Sequence, residues 1–115
     1  MNWPPQPGDQ LPRADACWYE PIKFEEWILA PRGHGREWQK VFGVGAGDRG
    51  RVWQALASAA RNAAIVEIRD RGEDGVACGI RERVTIGERS AMVTMSWHYE
   101  DFSAAPRLAT AYPSP

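Results

Sequence analysis

The spacing of apolar residues changes once along the chain, from a helical period to a strand period, near residue 64. Before that point Phe24, Trp27 and Ile28 fall on one face of a helix, and Val52 and Leu56 repeat the same spacing. Beyond it apolar and polar residues alternate, as on a sheet with one buried face. This order predicts an α+β fold, in which two N-terminal helices pack on one face of a roughly four-stranded antiparallel sheet.

Turn-forming residues and a helix cap set the expected boundaries of the two helices. Pro21 suits the first turn of a helix, and this helix should end near Ala30 because Pro31 restricts the residue before it. Asp48 is a suitable N-cap for the second helix, which is expected over residues 49–63.

The second half of the chain is expected to hold the strands, and the N-terminus is expected to stand apart as an arm. Turn-like segments link the strands, which should cover residues 64–69, 76–84, 91–99 and 107–112. Residues 1–13 contain four prolines and are expected to form an extended arm. Residues 14–113 then form a single α+β domain.

The charge balance excludes a protein that coats nucleic acid along its whole surface. The 115 residues carry 14 basic and 15 acidic side chains, with a formal net charge of -1. Proteins of that class are clearly basic, so any contact with nucleic acid must be local. No apolar run reaches the length of a membrane span and no signal-peptide pattern is present, so no membrane partner and a cytoplasmic location are expected.

Cysteine and histidine usage gives no sign of a metal site. Cys17 and Cys78 are far apart in sequence, so buried thiols are expected, and a disulfide between them stays open. Neither they nor the two histidines show the spacing of metal ligands. The sequence therefore assigns neither a metal nor another cofactor.

Strand alternation places polar side chains on the face of the sheet that the helices leave uncovered, called the open face below. Val66 and Ile68 are expected to point inward, towards the helices. A metal-independent ribonuclease needs a base, an acid and cations that hold phosphate. Glu67 or His98 are candidate bases, and His98 or His34 are candidate acids. The candidate phosphate-binding residues are Arg81, Arg83 and Arg107. A solvated face whose charges pair across strands accounts for the same pattern.

The loop Pro31–Arg36 is rich in glycine and basic residues. Its backbone N–H groups are candidates for binding a phosphate, with Arg36 adding charge. A plain connection between helices is the alternative. Residues 37–42 are expected to form a helical turn, on which Lys40 either binds phosphate or faces water. The six tryptophans are expected mostly in the core and its rim, with Trp38 kept as a candidate for base stacking.

Two stretches of sequence carry a family pattern. They are LPRADACWYEPIKFEEWILAP with the following KVFG, and the closing SWHYEDFSAAPRLATAYP. Over residues 11 to 113 the chain resembles an uncharacterised bacterial family of toxin-associated domains. The family's order of elements is similar to that of the barnase, EndoU, colicin and RelE group of ribonucleases.

The resemblance implies an endoribonuclease that acts on the open face of the sheet. The site residues that it implies are His34, Arg36 or Lys40 from the loop region, and Arg107, Thr110 and Tyr112 from the last strand. The chain also departs from the family. A longer Asn-Pro-Glu-His-Pro segment is shortened here to APRGHG, and Trp38 stands near the place of a lysine.

Two functions from different classes follow as hypotheses. The first is a metal-independent endoribonuclease toxin domain of a toxin–antitoxin or polymorphic-toxin system, whose partners are RNA and a cognate antitoxin or immunity protein. The second is a non-enzymatic binding protein, namely an immunity protein, an antitoxin or a phage-encoded inhibitor of a bacterial defence nuclease. A homodimer formed through a sheet edge is a further expected partner arrangement.

Overall fold

Three helices precede four strands in the computed structural model, which describes residues 3–114. Helix α1 covers Pro21–Lys23 and continues as a π-helical turn over Phe24–Ile28. The helical turn expected over residues 37–42 is a full helix, α2, over Gly35–Phe42. Helix α3 covers Arg49–Asn62, close to its expected bounds.

The strands form one antiparallel sheet in the order β1-β2-β3-β4. They cover Ile65–Asp70, Val76–Ile86, Arg89–Tyr99 and Arg107–Pro113. Helix α3 packs on β2, and α2 packs on β3 and β4, so both cover the same face of the sheet. The predicted α+β architecture, with helices on one face of a four-stranded antiparallel sheet, is confirmed.

The core lies between the helices and the inner face of the sheet, and large aromatic side chains fill much of it. Trp38 and Trp97 are fully buried. The ring centroids of Trp97 and Trp53 lie 5.9 Å apart. The Trp38 Nε1–H group donates a hydrogen bond to the carbonyl of Ala111 at 3.1 Å. The expectation that Trp38 stays available for base stacking is therefore wrong, because its position in the first turn of α2 directs its side chain into the core.

A β-bulge near the start of β1 changes which residues of that strand point inward. The register shifts between Ile65 and Glu67, so Val66 is an extra residue opposite β2. Ile65 takes the core position, whereas Val66 is 59% exposed. The prediction that Val66 points inward is wrong for this reason, and Ile68 is half-buried as a neighbour of the core.

The N-terminal segment packs along the outer side of β1. The N–H of Gly8 donates to the carbonyl of Ile65, and the N–H of Ile65 donates to the carbonyl of Asp9, both at 2.8 Å. Leu11 is buried in the core, and the Trp3 ring meets the ring of Tyr99 edge-on. Residues 1 and 2 of the expected arm lie outside the described residues.

Both cysteines are free thiols, and neither forms a disulfide. Cys78 is fully buried on β2, and burial raises the pKa of its thiol to about 11. Burial also raises the pKa of Cys17. Within residues 3–114, no helix is long and apolar enough to cross a membrane.

Candidate functional site

The register of the strands arranges side chains of the open face in rows that cross the sheet. The central row runs from Glu67 on β1 through Gly79 and Ser96 to Thr110 on β4. On one side of it lies the row Arg69, Ala77, His98 and Arg107. On the other side Arg81, Thr94 and Tyr112 form a third row.

The middle of the central row is low, because Gly79 has no side chain and Ser96 has a short one. The result is a depression of about 420 Å³ that crosses the open face, called the trough below. Its volume falls in the range of about 300–1,000 Å³ that is usual for small-molecule sites. The trough is lined by Glu67, Arg69, Arg71, Ala77, Gly79, Thr94, Met95, Ser96, Ala109, Thr110 and Tyr112.

An acidic side chain and two basic ones stand at the β1 end of the trough. The Nε–H group of Arg69 donates to Glu67 Oε1 at 3.0 Å, and the Glu67 side chain is 59% exposed. Exposed ion pairs of this kind contribute only about 0.2–1 kcal/mol to stability. Arg71 lines the same end of the trough.

Aromatic rings stand at the β4 end of the trough. The imidazole of His34 lies 5.0 Å from the Tyr112 ring, with 31° between the two planes. Trp27 meets His34 edge-on at 5.8 Å. Next to Tyr112 in the trough, the Thr110 Oγ1 atom is covered and has no hydrogen-bond partner among the described residues. His34 therefore lies beside the trough and contacts the ring of Tyr112, which lines it.

His98 holds a turn of the chain against the sheet. Its Nε2–H group donates to the carbonyl of Asp74 at 2.8 Å, because a carbonyl can only accept. Its Nδ1 atom then accepts from Arg107 Nη2 at 3.4 Å. The His98 side chain is only 12% exposed. Arg107 in turn forms an ion pair with Glu20, with 3.7 Å between Arg107 Nε and Glu20 Oε1. Both ring nitrogens are occupied, which favours an anchoring role for His98 over proton transfer to a ligand.

The three candidate acids and bases lie apart. His34 contacts Tyr112 and His98 contacts Arg107, and these two partners are five residues apart on β4, about 16 Å of strand. Glu67 is separated from β4 by three strand spacings, or about 14 Å. His34 therefore cannot share a phosphate with Glu67 or with His98, since an acid or base must come within hydrogen-bonding distance of the atom that it serves. His98 on β3 lies nearer to Glu67, at two strand spacings or about 10 Å, but both of its ring nitrogens already form hydrogen bonds.

The glycine-rich loop serves the fold and offers few free N–H groups. The N–H groups of Gly33 and Gly35 both donate to the carbonyl of Ala30, and that of His34 donates to the carbonyl of Trp27. The loop folds so closely onto the end of α1 that a Cβ on Gly33 would overlap the backbone carbonyl of Trp27. This part of the loop therefore cannot bind a phosphate through its backbone, which corrects that expectation.

Replacing Gly33 with alanine should destabilise the fold by about 3 kcal/mol, the upper end of the usual cost of overpacking. The clash is with backbone, which cannot rotate away as a side chain would. Urea unfolding monitored by tryptophan fluorescence measures the effect. The matched control is Gly50→Ala in α3, where a Cβ meets nothing within 4 Å and should change stability by less than about 1 kcal/mol. Equal effects in the two variants would contradict this account of the loop.

Arg36 and Lys40 lie on the helical side of the molecule, away from the trough. They are exposed on the side of α2 opposite Trp38, which points into the core. They line a separate groove of about 580 Å³ that is mostly apolar and includes Leu29 and Val44. Neither makes an ion pair with the described residues. The site residues expected from the sequence are thus divided between two surfaces.

Arg81 and Arg83 lie on the open face, beyond the trough. β2 and β3 continue past the ends of β1 and β4 as a two-stranded ribbon, and Arg83 is exposed on it opposite Met92. Arg81 is opposite Thr94, at the point where the ribbon leaves the sheet. Neither forms an ion pair with residues 3–114.

Sequence reasoning missed several residues of the trough. Gly79 and Thr94 follow from the strand alternation once the open face is considered for its shape as well as its charge. Trp27, expected on the buried face of the first helix, is 44% exposed and lies behind His34, outside the trough lining. Arg71 lies beyond the end of β1, where strand alternation gives no signal.

Comparisons with protein-family models, with curated proteins and with solved structures gave no match. In the described part of the chain, no three His, Cys, Asp or Glu side chains form a group of potential metal ligands.

Proposed function

We propose that the chain is a metal-independent endoribonuclease-like domain of a toxin–antitoxin or polymorphic-toxin system, and that RNA binds in the trough. The observation that carries the proposal is the carboxylate of Glu67 beside Arg69 and Arg71, at one end of a depression of about 420 Å³. The resemblance of residues 11 to 113 to toxin-associated domains supports the same function. A cytoplasmic location, where RNA is present, belongs to the proposal.

The arginines supply the local positive charge that RNA binding requires in a chain of net charge -1. Arg69 uses its Nε–H group on Glu67, which leaves its two terminal NH₂ groups to bind a phosphate. Arg71 adds a second guanidinium at the same end of the trough. Arg81 and Arg83 are placed to bind neighbouring phosphates along the ribbon.

Glu67 acts as the base in the proposed reaction. Its carboxylate takes the proton of a ribose 2′-hydroxyl, and the 2′-oxygen attacks the adjacent phosphorus. The bond from phosphorus to the 5′-oxygen breaks, and that oxygen takes a proton from water. The products are a 2′,3′-cyclic phosphate and a 5′-hydroxyl end. Arg69 and Arg71 stabilise the negative charge that develops on the phosphate oxygens.

The geometry predicts a slow enzyme. His34 lies at the β4 end of the trough, and both ring nitrogens of His98 already form hydrogen bonds, so water replaces the general acid. A positioned general acid contributes a factor of about 10²–10⁴ to the rate. We therefore expect cleavage that is slower by that factor than in a ribonuclease with a complete acid–base pair.

Removal of both trough arginines should weaken RNA binding and reduce its salt dependence. On a single strand each arginine that neutralises a phosphate adds about 0.7 to the magnitude of the slope of log K against log salt, so Arg69→Ala with Arg71→Ala should lower that magnitude by about 1.4. Fluorescence anisotropy with a labelled single-stranded RNA measures the affinity between low and physiological salt.

The matched control is the pair Arg36→Ala with Lys40→Ala, which removes the same charge from the helical side. This variant should keep the wild-type slope. If both pairs lower the slope equally, binding depends on net charge alone and the trough is not the site. If only the control pair lowers it, RNA binds on the helical side.

A separate observation favours the second candidate function, a non-enzymatic protein-binding role. The groove beside α2 combines an apolar floor with Arg36 and Lys40, whereas Glu25 at its rim is already paired with Arg49. Such a surface suits an acidic segment of a protein partner, as an antitoxin or immunity protein would supply. Co-expression with the product of a neighbouring gene tests this, since Arg36→Glu with Lys40→Glu should release a partner bound there. Retention of the partner by that variant would contradict the assignment.

A homodimer through the sheet stays part of the proposal. The outer edge of β1 beyond Ile65 pairs with no other described strand, so it is the edge at which a second copy would add. The charged side chains of Glu67 and Arg69 and the bulge at Val66 are features that discourage such pairing. Light scattering at several protein concentrations measures the oligomeric state, and a monomer at all of them would exclude the dimer.

A further inference from the structure

We infer that the β4 end of the trough is a nucleobase site, in which an unpaired base stacks on the ring of Tyr112. This inference rests on the proposed function, because it assigns the base to the RNA whose phosphate lies at Arg69 and Arg71. It specifies the substrate class as single-stranded RNA. Bases inside a duplex are already stacked on their neighbours and cannot enter the trough.

Tyr112 is held in place by rings behind it. The His34 ring packs against the Tyr112 ring at a centroid distance of 5.0 Å with 31° between the planes, and Trp27 packs against His34 in a T-shaped contact at 5.8 Å. Tyr112 remains 37% exposed and lines the trough with its remaining surface. A ring that is fixed before the ligand arrives loses little conformational freedom on binding, which favours stacking.

The length of the trough suits a short stretch of single-stranded RNA that is longer than one nucleotide. Three strand spacings, about 14 Å in all, separate the β1 end from the β4 end. Arg69 and Tyr112 also lie in different rows, so the phosphate at Arg69 and the base at Tyr112 belong to different nucleotides of one strand. Between them the strand crosses the low middle of the central row, at Gly79 and Ser96. The lining hydroxyls of Ser96 and Thr94 are available to hydrogen-bond the sugar or the base edge.

The test compares two probes that carry the same charge. One is a fluorescein-labelled hexanucleotide of 2′-O-methyluridine, which resists the proposed cleavage because its 2′-oxygen is blocked. The other is a hexamer of the same backbone without bases. Stacking of one base contributes a factor of about 5 to 140 in affinity. By anisotropy, wild-type protein should bind the base-bearing probe more tightly than the abasic probe by that factor.

Substitutions at Tyr112 locate the effect. Tyr112→Leu keeps an apolar side chain but removes the ring, and it should lower the affinity for the base-bearing probe to that of the abasic probe. Tyr112→Phe keeps the ring and should bind as wild type. The control is Trp18→Ala, which removes another half-exposed aromatic side chain. The backbone of Trp18 forms a β-bridge with Arg107, at the opposite end of β4 from Tyr112. It should bind both probes as wild type.

The outcomes separate this inference from the proposed function. Equal binding of both probes, or a Tyr112→Leu variant that still prefers bases, would overturn the nucleobase site while arginine-dependent RNA binding stands. If neither probe binds to the wild-type protein, the RNA-binding function fails and the nucleobase site fails with it. Thermal melts of the Tyr112 variants should match wild type, because Tyr112 lies outside the buried core.

Discussion

Replacing Trp97 with alanine should lower the free energy of unfolding by about 3–5 kcal/mol, the usual cost of removing a buried large aromatic. Trp97 is fully buried in the third strand and packs against Trp53. Its Nε1–H group has no partner within residues 3–114, so part of the side chain's burial is unfavourable. We therefore expect a value in the lower half of the range. Urea unfolding followed by circular dichroism measures it.

The control for this prediction is Trp18→Ala, which removes the same side chain from a half-exposed position. It should cost less than about 1 kcal/mol, since surface substitutions have small effects. A cost below about 0.5 kcal/mol for Trp97→Ala would mean that the inner and outer faces of β3 are exchanged. The placement of Ser96 and His98 on the open face would then be wrong as well.

Replacing Glu67 with glutamine should slow RNA cleavage by a factor of about 10²–10⁴, because the amide cannot accept the proton of the 2′-hydroxyl. Binding should persist, since Arg69 and Arg71 remain and one negative charge is removed. Stability should change by less than about 1 kcal/mol, because the ion pair of Glu67 with Arg69 is exposed. Rates on a labelled oligonucleotide, measured at saturating protein, separate cleavage from binding.

A matched control for Glu67→Gln is Glu73→Gln, in the exposed turn between β1 and β2. It removes the same charge without touching the trough and should cleave at the wild-type rate. Unchanged cleavage by the Glu67 variant would exclude Glu67 as the base. Loss of cleavage in His34→Ala or His98→Ala alone would move the reaction to that histidine.

The layered fold could be predicted because hydrophobic periodicity reports directly on burial. Val93, Met95 and Trp97 alternate with polar residues, and all three are buried on the inner face. The bulge at Val66 could not be predicted, since an extra residue in a strand leaves no distinctive composition. The burial of Trp38 could not be predicted either. The sequence around a tryptophan beside a basic loop is the same whether the ring lies on the surface or in the core.

The site could be predicted in its residue types more than in its geometry. Alternation placed Glu67 on the open face, and the resemblance named Thr110 and Tyr112, which line the same trough. Strand register then decides which candidates meet, and it depends on turns and bulges that short-range patterns do not specify. For that reason His34 and His98, expected as alternatives for one role, lie at opposite ends of β4.

The most direct test is incubation of the purified protein with total RNA and with defined transfer RNAs in the presence of EDTA. The Glu67→Gln variant serves as the parallel sample. We expect discrete, slow cleavage by the wild-type protein that leaves 2′,3′-cyclic phosphate ends and is lost in the variant. Intact RNA after prolonged incubation with folded wild-type protein would contradict the ribonuclease function and favour the partner-binding function of the groove at Arg36 and Lys40.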